Sequence, residues 1–91
     1  MAEIRITTVE VTGPTEKRDH PWNRYDKYRV PVRYTLEDGR TFETGKWFGR
    51  LRDAKAYAAQ GTTHPTNLEA WFMDDGRFGG VVEHVRIGGV R

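Results

Sequence analysis

Cysteine and serine are both absent from this 91-residue chain. The first absence excludes a disulfide scaffold, a thiolate zinc site and a cysteine nucleophile, and the second excludes a serine-based triad. Long apolar runs are missing too: nothing approaches the roughly 20 consecutive residues that a membrane-crossing helix needs. Met1-Ala2-Glu3-Ile4-Arg5 carries no signal-peptide core, so a cytoplasmic protein is expected. An excess of one charge is also lacking: 15 basic residues face 13 acidic ones, too even a balance to argue for nucleic acid by itself. The histidines His20, His64 and His84 show no ligand spacing such as i, i+4, so no metal site is expected. The pairs Glu37-Asp38 and Asp74-Asp75 each precede a glycine and read as turn chemistry. Gly76-Arg77-Phe78-Gly79-Gly80 lacks the Lys-Ser/Thr of a phosphate loop and reads as a flexible joint between elements. The chain is therefore expected to be neither an enzyme nor a cofactor binder.

What is present points to one domain spanning residues 1–91. Aliphatic residues are modest in number, so three Trp, four Tyr and four Phe must supply much of the core, each burying roughly 150–250 Å². Residues 3–12 read as a strand whose apolar parity slips between Ile6 and Val9, which predicts a bulge near Thr7-Thr8 or burial on both faces. Gly13-Pro14 ends it. Residues 15–24 are polar and charged, a loop of about ten residues, either ordered for function or disordered.

The clearest pattern runs from Tyr25 to Leu36. Tyr28, Val30, Val32, Tyr34 and Leu36 alternate with Arg29, Pro31, Arg33 and Thr35, a strand with one buried and one wet, basic face. Pro31 cannot donate a ladder hydrogen bond and predicts an edge strand or a bulge. Glu37-Asp38-Gly39-Arg40 is a hairpin turn, and Thr41 to Phe48 returns, with a glycine bulge expected at Gly45 so that Trp47 and Phe48 pack on opposite sides. Leu51 to Gln60 reads as a helix with Leu51, Ala54 and Ala58 on one face, stopped by Gly61. Thr62 to Asp75 reads as a second helix: Thr66-x-x-Glu69 has capping-box form and Leu68, Trp71 and Phe72 make an i, i+3, i+4 face. Val81 to Val90 is a last strand, with Gly88-Gly89 and Arg91 frayed. The expected fold is α+β, an antiparallel sheet of about four strands in the order β-β-β-α-α-β with one or two helices on one face.

The candidate functional surface is local. Residues 14–34 hold six basic side chains and three acidic ones, and within them His20, Trp22, Arg24 and Tyr25 lie on the polar loop. Trp, Arg and Tyr dominate binding hot spots because they join a large contact area to a polar handle. Lys27, Arg29 and Arg33 continue that surface onto the wet face of the next strand. A protein partner is the first expectation. The second is DNA or RNA, with Arg29 and Arg33 reaching bases or phosphates and Arg24 and Lys27 on the backbone; Glu37, Asp38 and Glu43 on the same hairpin oppose it. A homodimer through an edge strand, the first or the last, is a third. In the bland alternative, Trp22 folds back to cap the sheet edge.

Tyr28-Arg29-Val30-Pro31-Val32-Arg33-Tyr34, Asp38-Gly39-Arg40, Trp47-Phe48 and Leu51-Arg52-Asp53-Ala54-Lys55-Ala56-Tyr57 together resemble the sheet-plus-helix domain with which phage tyrosine integrases bind arm-type DNA. The likeness covers about a third of the chain and implies a three-stranded sheet followed by a helix. In place of the family's catalytic domain the pattern here predicts a second helix and a strand. In overall style, small and arginine-rich, the chain is similar to accessory proteins of actinobacterial phages, which implies a host protein as partner.

Overall fold

The computed structural model describes residues 3–84. Its elements in chain order are β1 (Glu3–Val11), β2 (Glu16–Lys17), β3 (Tyr28–Leu36), β4 (Thr41–Phe48), α1 (Leu51–Ala58), β5 (Thr62–Thr63), β6 (Leu68–Phe72) and β7 (Phe78–Glu83). The chain is α+β, as expected, but among the described residues there are seven strands in the antiparallel sheet rather than about four, and one helix where one or two were expected on its face. Among the described residues no helix is long and apolar enough to cross a membrane.

The parity slip in β1 is a bulge. Ile6 pairs with Leu36 and Thr8 with Thr35, leaving Thr7 as the extra residue; its Oγ1 donates to the Thr35 carbonyl at 3.3 Å. The bulge turns both Ile6 and Val9 toward the core, which strict alternation would forbid. On its other edge β1 pairs with β6 at Glu3–Arg5 and with β5 at Val9–Glu10. It is thus an interior strand and not the edge strand that the dimer expectation assumed; among the described residues β7 pairs only with β6.

β3 follows the alternation read from the sequence. Val30, Val32, Tyr34 and Leu36 are buried, and the intervening residues line the other face. With Ile6, the side chains of Leu36, Val30 and Val32 are the largest fully buried ones, each worth about 1.5–3 kcal/mol over exposure. Pro31, however, lies in an interior strand and not at an edge. β1 runs along β3 as far as Val11–Val32, and β2 resumes the same edge at Glu16–Arg29. Pro31 stands opposite Thr12, whose N–H donates to its carbonyl at 3.0 Å, but it offers no N–H in return, and the β1–β3 ladder stops one pair short of it. The proline thus sits where β1 leaves β3 for the detour through Gly13-Pro14-Thr15, and not within a continuous ladder on that edge.

The expected glycine bulge at Gly45 is absent. β3 and β4 pair without interruption from Tyr28–Phe48 to Thr35–Thr41, with Gly45 opposite Pro31. The Arg29 side chain lies across Gly45, and a Cβ at this position would have to displace it. Trp47 and Phe48 do point to opposite faces, Trp47 toward His20 and Phe48 toward Tyr57 of α1. Ala54 is fully buried, so the helix lies close against the sheet, and Gly61 at φ 64° turns the chain away.

The second expected helix is instead the hairpin of β6 and β7. Leu68, Ala70 and Phe72 alternate with Glu69 and Trp71, a period-2 pattern that five residues cannot separate from i, i+3, i+4. Tertiary demand decides: β1 offers an unpaired edge at Glu3–Arg5, and β6 fills it. Asp74-Asp75-Gly76-Arg77 is the turn, with Gly76 at φ 88°. The presumed flexible joint Gly79-Gly80 lies inside β7 opposite Trp71, whose ring lies across both glycines; a Cβ at Gly79 would approach Trp71 Cζ3 to 2.2 Å. Of the expected strand Val81–Val90, the part to Glu83 is strand; the expectation for residues 85–91, fraying included, lies outside the described residues.

The sheet is curled. Phe42 of β4 meets Phe72 and Phe78 with ring centroids 5.5 and 5.0 Å apart, although β4 and β7 lie at opposite ends of the strand order. Gly79→Ala is expected to destabilise the fold by about 1–3 kcal/mol in urea unfolding, and the same change in a Trp71→Ala background by much less, because the indole is what the new methyl meets.

Candidate functional site

The segment between β2 and β3 is a folded extension of their hairpin. Arg18 N–H donates to the Lys27 carbonyl at 2.8 Å and His20 N–H to the Asp26 carbonyl at 3.3 Å. Asn23 builds the tip: its Oδ1 accepts from Tyr25 N–H, and its Nδ2 donates to Asp26, each at 3.0 Å. This is the local hydrogen bonding that asparagine and aspartate offer in turns. His20 ties tip to sheet. Its Nδ1 accepts from the backbone N–H of Trp22 at 3.3 Å and of Asn23 at 3.1 Å, and its ring packs edge-on against Trp47, centroids 4.7 Å apart. Because Nδ1 accepts, the proton of the neutral ring is on Nε2.

It is His20 that folds back on the sheet, and not Trp22. Trp22 is 87% exposed and Tyr25, which lies in the turn rather than in β3, is 74% exposed. The Arg24 guanidinium stands 5.6 Å from the centre of the Tyr25 ring. Residues 20–25 enclose an open hollow of about 410 Å³.

The seven expected contact residues divide into two groups. His20, Trp22, Arg24 and Tyr25 form the tip, with Lys27 exposed at its base. Arg29 and Arg33 sit on the outer face of β3, each already held by carboxylates. Arg29 lies 3.4 Å from Glu16; Arg33 bridges Glu10 and Glu43, at 3.3 Å each. Their charge is largely cancelled where a phosphate would have to bind.

Two features were not visible in the sequence pattern. Glu3, Glu69 and His84 come from three adjacent stretches of chain, and one ligand atom of each lies within 4.8 Å of the others, a set that could hold a divalent cation. His84 Nε2 is 2.6 Å from Glu69 Oε1. This hydrogen bond, chiefly, holds the Glu69 carboxyl below its usual range. No two of these residues have ligand spacing along the chain, so only the strand pairing unites them.

The second feature is a cleft of about 360 Å³ on the concave side of the sheet, between β4, α1 and the β6–β7 hairpin. Tyr34 lines it and Tyr57 faces it from α1. Burial, with the neighbouring Tyr57 adding to it, pushes the Tyr34 hydroxyl up to about 12, and burial raises Tyr57 as well.

Two outcomes follow. Trp22→Ala is expected to leave the unfolding free energy within about 0.5 kcal/mol of the parent, whereas His20→Ala removes the acceptor of two amides and should speed hydrogen exchange across residues 21–26. For Tyr34, the folded state holds its proton to about pH 12 while the unfolded chain releases it near 10. Stability is therefore full below about pH 10 and falls between there and pH 12, by on the order of 2 kcal/mol; Tyr34→Phe should flatten that alkaline decline in denaturant titrations.

The chain matches no protein-family model, no curated protein and no solved structure.

Proposed function

We propose that this protein is a non-enzymatic binding module that engages a protein partner through Trp22, Arg24 and Tyr25. One observation carries the reading: two large aromatic rings stand in water on a loop fixed by its own hydrogen bonds. At about 25 cal/mol per Å², an indole left in water forgoes several kcal/mol of burial. A partner that covers it recovers that free energy with little loss of loop entropy, because the loop is already ordered. Arg24 beside Tyr25 adds a planar cation suited to a carboxylate or a backbone carbonyl of the partner. The resemblance to phage accessory proteins gives this reading its particular form, a host protein as the partner.

Nucleic acid is the second reading, and the structure favours it less. The outer face of β3 presents Arg29 and Arg33 about 13 Å apart, but each is paired with glutamate, and a phosphate would have to displace those carboxylates.

Trp22→Ala combined with Arg24→Ala is expected to lower capture of the partner from host lysate at least tenfold with circular dichroism unchanged. Equal capture by parent and variant would remove the loop assignment. A mobility-shift titration at about 50 mM salt, where phosphate contacts are strongest, is expected to show no complex; a complex that weakens steeply with added salt would favour the nucleic-acid reading.

A further inference from the structure

The concave cleft shares no residue with the Trp22 loop, and its chemistry is different. Tyr34 is only 7% exposed, yet its hydroxyl has no hydrogen-bond partner among the described residues. No fully buried side-chain nitrogen or oxygen there lacks a partner, so the hydroxyl keeps its opening into the cleft. A phenylalanine at this position would fill the core equally well without a polar atom to satisfy. The hydroxyl is therefore free to bond an occupant of the cleft.

Tyr57 brings a second phenol to the same space, and with both hydroxyls raised by burial each stays a protonated donor across the neutral range. Lys46, on the β4 wall, adds an ammonium that forms no ion pair among the described residues. The rest of the lining is Leu68 of β6, Val81 of β7 and Pro65, with the polar Asn67 and Glu83 beside them. Two hydroxyl donors and one cation, next to the aliphatic carbon of Leu68 and Val81, are complementary to an anionic head with an apolar body. A volume of about 360 Å³ lies at the lower end of the range for small-molecule sites.

We propose that this cleft binds a small organic carboxylate, its oxygens received by Tyr34, Tyr57 and Lys46 and its hydrocarbon part laid against Leu68 and Val81. Specificity for the carboxylate then resides in donors with no acceptor among the described residues, with the carboxylate oxygens held toward Lys46 and away from Glu83.

Phenylacetate is a suitable probe, with 2-phenylethanol and phenylethylamine as neutral and cationic counterparts of the same body. In amide-resolved NMR titrations to about 10 mM, where even a millimolar affinity is measurable, phenylacetate should shift the amides of residues 46, 57 and 81 and leave those of 20–25 in place. The neutral and cationic probes should bind at least tenfold more weakly. Tyr34→Phe and Lys46→Met should each weaken phenylacetate roughly tenfold, the loss expected for one hydrogen bond to a charged group. Lys46 is exposed, so that variant folds even if the core change at Tyr34 does not. Absence of shifts in the cleft, equal binding of the three probes, or parent-like binding by the Lys46→Met variant would overturn the proposal. None of these results bears on the Trp22 loop.

Discussion

The extra residue at Thr7 is the constraint from which the rest of the architecture follows. Without it, β1 would send Ile6 and Val9 to opposite faces. With it, both enter one core, and the strand bends enough for its first half to pair with β6 and its second with β3. That bend lets a sheet of modest size curl until Phe42, Phe72 and Phe78 close one end. Next to Phe42, its cross-strand partner Tyr34 lies in the same core, and with Tyr57 of α1 it lines the cleft left between β4, the helix and the β6–β7 hairpin.

The two hairpin turns show where the fold was legible and where it was not. Glu37-Asp38-Gly39-Arg40 and Asp74-Asp75-Gly76-Arg77 adopt the same geometry. In each, the arginine N–H donates to the aspartate Oδ1 at 3.1 Å, and the arginine Nε donates to its Oδ2 at 2.8 and 2.7 Å. The first was readable because long alternating runs flank it. The second was read as a helix end because the run before it is short and the run after it is glycine, which carries no periodicity. What makes β7 a strand is Trp71, which needs a flat surface without Cβ atoms, and that requirement is visible only once β6 and β7 face each other. The repeated tetrapeptide was the available signal.

The proposed contact surface was legible to a similar extent. The aromatic loop could be found from composition, and the wet face of β3 from parity. The pairing of Arg33 with Glu43 follows from the register of the Asp-Gly turn alone. Glu10 and Glu16 reach the arginines through pairing with β1 and β2, contacts distant in sequence, so the neutralisation of that face could not be foreseen in full. Nor could the anchoring of His20, whose partner Trp47 lies on another strand.

The three indoles occupy three unlike surroundings, which gives the molecule an optical property. Trp22 stands in water, Trp47 lies against an imidazole, and Trp71 rests on bare backbone. Their emission is therefore spectrally separable in principle: a dissolved quencher reaches the first far more readily than the other two. A shift of the solvent-exposed component to shorter wavelength reports occlusion of the loop alone, and fluorescence of the unlabelled protein can distinguish an event at the tip from one that disturbs the sheet.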